Sequence, residues 1–107
     1  MMFFNFLNEP YIAIIGDIKN SKKIVDRGAI QEHLKKILDN INLKYSDCIA
    51  SKFTITLGDE FQGLLTTGNN IMEIIQYIKK EIYPVKIRFG IGIGSISTKI
   101  NSEISIG

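Results

Sequence analysis

The spacing of apolar residues switches repeatedly along this chain, and the order of those switches constrains the fold more than any other feature. "YIAIIGD" (Tyr11 to Asp17) is apolar on both faces up to Gly16, the pattern of a strand in the middle of a sheet. From Asp26 the period lengthens. Ile30, Leu34, Ile37, Leu38 and Ile41 share one helical face behind Asp26 as N-cap, which predicts a helix of about four turns ending near Leu43. "ASKFTITL" returns to alternation, with Phe53, Ile55 and Leu57 on one side and Lys52, Thr54 and Thr56 on the other. "EFQGLL" follows a turn at Gly58-Asp59, so the two runs form an antiparallel hairpin. Gly68 and Asn69 open a second helix with the stripe Ile71, Ile74, Ile75, Ile78 and Ile82, which Pro84 closes. "VKIRFGIGIGSI" (Val85 to Ile96) is the last long strand, with Val85, Ile87 and Phe89 on one face. Its glycines at 90, 92 and 94 leave the other face bare, which invites the close approach of a backbone or ligand.

The order β-α-β-β-α-β predicts an α+β fold of the ferredoxin-like, split βαβ kind, an antiparallel sheet of four strands with both helices on one face. With 107 residues and no linker, repeat or low-complexity stretch, residues 1–107 form one domain. "STKINSEISIG" still alternates like a strand up to Gly107, so the chain reads as the truncated N-terminal part of a longer protein. Residues 1–9 read as either a loose arm or a docking strand.

Composition narrows the function classes. A net charge of +2 does not by itself argue for nucleic acid or a membrane surface. No apolar run approaches the roughly 20 residues that span a bilayer, and "MMFFNFLNEP" lacks the basic start of a signal peptide. Cys48 is the single cysteine, which excludes an internal disulfide and fits a reducing cytoplasm.

One stretch calls for more than a turn. In "ITLGDEFQGLL" (Ile55 to Leu65), Gly58 alone supplies the positive φ that a tight turn needs, yet Asp59 and Glu60 place two acids at the tip. In a β-α-β crossover the first strand lies near this hairpin, so Asp17 converges on the same edge. Two carboxylates about 5 Å apart repel by roughly 3 kcal/mol at an effective dielectric near 20. A hard divalent cation removes that penalty, and all-oxygen ligands suit Mg²⁺ or Mn²⁺ rather than zinc. The expected metal site is therefore Asp17 and Asp59, with Glu60 as a third or outer ligand. The alternative is a set of turn acids facing water. "IKNSKK" follows Asp17, and Lys19, Asn20, Ser21 and Lys22, with Lys23 beyond, could hold phosphates through backbone amides and lysines, or simply form a solvated basic loop. His33 sits at the edge of the first helical stripe, away from the acids, and reads as structural or solvated. Neither Cys48 nor Ser21 has a partner that would make it a nucleophile.

"IAIIGDIKNSKKI", "ASKFTITLGDEFQGLL" and "VKIRFGIGIGSISTKI", in that order and spacing, resemble the SatD family of bacterial proteins over residues 11–107. That resemblance implies a longer full-length protein and a regulatory role. More distantly, Asp17-Ile18 and Gly58-Asp59 are similar to the strand end and hairpin tip of class III nucleotidyl cyclases. That likeness implies two metal ions on Asp17 and Asp59 with help from the Ile18 carbonyl, and a triphosphate over Lys19 to Ser21. "GDEF" (Gly58 to Phe61) is also similar to the diguanylate cyclase hairpin motif, with Leu57 in place of its first glycine. The departures bear on catalysis. Phe53 stands in the register where cyclases carry a base-selecting lysine, and no helix supplying the cyclase arginine and asparagine is matched. The expectation is a domain that binds a metal and a nucleotide or other phosphate ligand without turnover in this stretch, and forms a homodimer. Alternatives are an active cyclase in the full-length protein, or a non-catalytic protein-interaction domain.

Overall fold

The computed structural model describes residues 10–20 and 25–95. Residues 1–9, Ser21, Lys22 and the strand-like ending at 96–107 lie outside it. The described elements are β1 (Pro10–Ile18), α1 (Arg27–Lys44), a 3-10 turn (Ser46–Cys48), β2 (Ile49–Leu57), β3 (Glu60–Leu65), α2 (Ile71–Ile82) and β4 (Ile87–Ser95). The strands pair antiparallel in the order β2-β3-β1-β4. β1, apolar on both faces, is therefore central, and β2 and β4 are the edges among the described strands.

Local chemistry sets the element ends. Asp26 caps α1 by accepting from the Ala29 N–H at 3.0 Å. Gly58 turns the β2–β3 hairpin at φ +48°. α2 stops at Ile82, and the Tyr83–Pro84 peptide that follows is cis.

Pairing register assigns the two faces. Ile14 and Ile18 on β1, Phe61 and Leu65 on β3, Phe53 on β2 and Ile87 on β4 all join Leu34, Ile37, Leu38 and Ile41 of α1 and Ile74, Ile78 and Ile82 of α2 in one core. Both helices thus cover the same side of the sheet. Gly16 pairs with Phe61 on one side and Phe89 on the other, and a Cβ at Gly16 would land on the Phe61 ring. Gly63 makes the same room for Phe53. Each glycine lets an aromatic ring from a neighbouring strand lie flat across the sheet.

Two expectations shift. Leu57, predicted to face inward with Phe53 and Ile55, is 72% exposed. A register irregularity between Ile55 and Leu57 breaks the alternation at the hairpin tip. Val85 precedes β4 rather than starting it, and packs against the core from the connection.

Candidate functional site at the hairpin edge

The C-terminal end of β1, the β2–β3 tip and the start of β4 meet at one edge of the sheet. Asp17 is the direct cross-strand partner of Glu60 on β3 and of Arg88 on β4. The next rung is held by the Ile18 N–H, which donates to the Asp59 carbonyl at 3.1 Å. Beyond it the Lys19 N–H donates to the Lys86 carbonyl at 2.9 Å. Directly paired residues in an antiparallel ladder share a face, so Arg88, Asp17 and Glu60 form a row on the side away from the helices. Asp17 and Glu60 are half-buried and Arg88 is exposed.

The β1–β3 register brings Asp17 beside the hairpin, with a different pairing from the one expected. Asp17 sits opposite Glu60, while Asp59 belongs to the turn across from Ile18. The Ile18 N–H points toward the hairpin, and in an antiparallel strand a residue's carbonyl points to the same side as its N–H. Among the described residues, no three His, Cys, Asp or Glu side chains are grouped so that they could hold a metal ion. Protein groups alone supply at most a partial shell there.

The loop after β1 begins with exposed Lys19 and Asn20, and Asn20 has a positive φ of 55°. α1 reaches the same edge: Gln31 Nε2 donates to the Gly58 carbonyl at 2.7 Å and ties the first turns of the helix to the hairpin tip. His33 is elsewhere, its Nε2 2.7 Å from the Glu81 carbonyl, which links α1 to the end of α2. Cys48 Sγ accepts from Asn70 Nδ2 at 3.3 Å.

Arg88 and Gln31 were not singled out by the sequence. Arg88 is the one charge inside the "IRFGIGIGS" run, but only the β1–β4 register sets it beside Asp17. No helix of the described residues is long and apolar enough to cross a membrane.

An α+β domain with four antiparallel strands and a carboxylate row at one sheet edge is the class of structure described so far. The SatD family model matches residues 11–107, and the chain belongs to the SatD family. No curated protein and no solved structure matches it.

Proposed function

We propose that this domain binds a divalent cation, Mg²⁺ or Mn²⁺, together with a phosphate-bearing ligand of nucleotide type, and that it does so in a regulatory rather than a catalytic role. The observation that carries the proposal is the cross-strand pairing of Asp17 with Glu60 beside the Ile18–Asp59 backbone bond. Paired carboxylates at cross-strand distance repel, and a cation relieves the repulsion. Mg²⁺ is commonly held by one or two carboxylates plus the phosphates of its ligand, retaining several waters. A partial protein shell therefore suits a metal that arrives with its ligand.

In this assignment Asp17 and Glu60, with Asp59 and the Ile18 carbonyl, face the metal. Lys19 and Asn20, continuing into Ser21 and Lys22, face the phosphates. Arg88, beside Asp17, is the resident counter-charge and turns to the phosphates when the metal takes the acids. The ferredoxin-like ordering of strands and helices supports a nucleotidyl-cyclase-like architecture, and a reducing, cytoplasmic setting suits the lone Cys48. The alternative reading is an active cyclase in the full-length protein, tested by product formation from ATP or GTP with Mn²⁺.

The binding proposal is tested by paramagnetic broadening of backbone amide resonances on adding Mn²⁺ with a non-hydrolysable nucleoside triphosphate. Broadening confined to Asp17–Lys19, Gly58–Glu60 and Arg88 is expected. Broadening centred elsewhere, or none, contradicts it.

A further inference from the structure

The two edges of the sheet are built differently. β2 is guarded: its pairing with β3 is irregular at three places, it carries Lys52, and Asn42 of α1 occupies both backbone groups of Phe53. Bulges, a lysine and a covering helix are the usual means of keeping an edge from pairing with another chain. Among the described residues β4 has none of these. It pairs with β1 in unbroken register from Ile87 to Ser95, contains no proline, and carries Arg88 as its only charge.

The hydrogen-bond pattern shows which groups this edge presents. The Lys19 N–H donates to the Lys86 carbonyl, so Lys86 and every second residue after it point toward β1. Ile87, Phe89, Ile91, Ile93 and Ser95 therefore direct their N–H and C=O groups outward, away from the four-stranded sheet. Ile91 and Ile93 are 49% and 72% exposed on the helix side of that edge. On the other side Gly90, Gly92 and Gly94 have no side chains to obstruct an approaching strand, and a Cβ at Gly90 would meet nothing within 4 Å.

We infer that the β4 edge pairs with the β4 edge of a second copy of this chain, antiparallel about a two-fold axis at Ile91. The strand is self-complementary in that arrangement. Ile91 faces Ile91 of the partner subunit and Phe89 faces Ile93 of the partner subunit, and these hydrogen-bonded pairs join residues whose backbone groups point outward. Arg88 falls opposite Gly94 of the partner subunit, so the only charges on the strand stay apart. A register centred on Arg88 would set the two arginines face to face, which disfavours it. The sheets of both copies join into one, with all helices on the same side. The exposed Ile91 and Ile93 are covered, and the carboxylate row stays open on the opposite face.

Sedimentation velocity of the intact chain from low to high micromolar concentration, combined with amide hydrogen exchange, tests this. A reversible dimer is expected, with the Phe89, Ile91 and Ile93 amides gaining protection as concentration rises. Ile93→Lys weakens the dimer by about tenfold or more. Ile91→Pro, which removes an outward N–H without touching the β1 ladder, does the same. A monomer at all concentrations overturns the proposal. So does a dimer whose formation leaves those amides unchanged. Protection of the same amides independent of concentration also overturns it, because it assigns the edge to another segment of the same chain. The exchange measurement on the unaltered protein decides the matter even if a variant fails to fold.

Discussion

Phe61 and Phe89 meet edge-to-face, centroids 6.2 Å apart and planes at 78°, as the two cross-strand partners of Gly16. The pair comes from strands on opposite sides of β1, and each ring reaches toward the other because the residue between them has no side chain. One rung further along, on the opposite face, lies the row Arg88–Asp17–Glu60. The aromatic pair is the floor beneath the acids, and packing and site are linked through adjacent residues of one strand.

Gly16→Ala should therefore cost more than an ordinary strand glycine substitution. The new methyl collides with the Phe61 ring, and overpacking of this kind costs about 1–3 kcal/mol. Gly90→Ala, where a Cβ meets nothing, should leave stability nearly unchanged or raise it slightly. Urea denaturation of the two variants measures the contrast. Equal effects would mean that the ring does not occupy the space above Gly16.

Asn42 is expected to be the most sensitive polar residue of α1. Its Oδ1 accepts from the Phe53 N–H at 2.8 Å and its Nδ2 donates to the Phe53 carbonyl at 3.0 Å. Asn42→Leu leaves both backbone groups unpaired in a partly buried place, a loss of about 2–3 kcal/mol. Asn42→Asp keeps the acceptor and forfeits the donor, so an intermediate loss is expected in the same denaturation assay.

Tyr45 supplies the pH prediction. Its hydroxyl is buried near the Glu73 carboxylate, and burial first, then the hydrogen bond and charge of Glu73, raise the phenol above its ordinary value, against the lowering pull of Lys44. A pKa raised in the folded state means that the neutral form is favoured by folding. That stability is fully present below the unfolded value of about 10 and is lost as pH rises through the folded value. Unfolding free energy measured across the alkaline range should fall above pH ~10, and less steeply in Tyr45→Phe.

Much of the fold was legible because its signals are local. The alternation in "ASKFTI", the stripe Ile71 to Ile82 and the Asp26 cap each depend on residues within a few positions of one another, and all reappear in the structure. The bare face left by Gly90, Gly92 and Gly94 was legible for the same reason. Gly16 and Gly63 were not, since their partners Phe61 and Phe53 are defined only once strands pair. The site divides along the same line. That β1 ends beside the hairpin followed from the crossover. That the direct partner of Asp17 is Glu60 rather than Asp59, and that Arg88 stands on its other side, depends on two strand registers that no local pattern encodes. Leu57 shows the limit of alternation itself, which fails where a bulge intervenes.

The central claim is that metal and phosphate ligand bind together at Asp17 and Glu60. Calorimetric titration of Mg²⁺ or Mn²⁺, with and without a non-hydrolysable triphosphate, into the unaltered protein and into Asp17→Asn tests it most directly. The account predicts weak metal binding alone, at least about tenfold tighter binding with the triphosphate present, and loss of that gain in Asp17→Asn. Metal affinity that is the same with and without triphosphate, or unchanged in the variant, would contradict it.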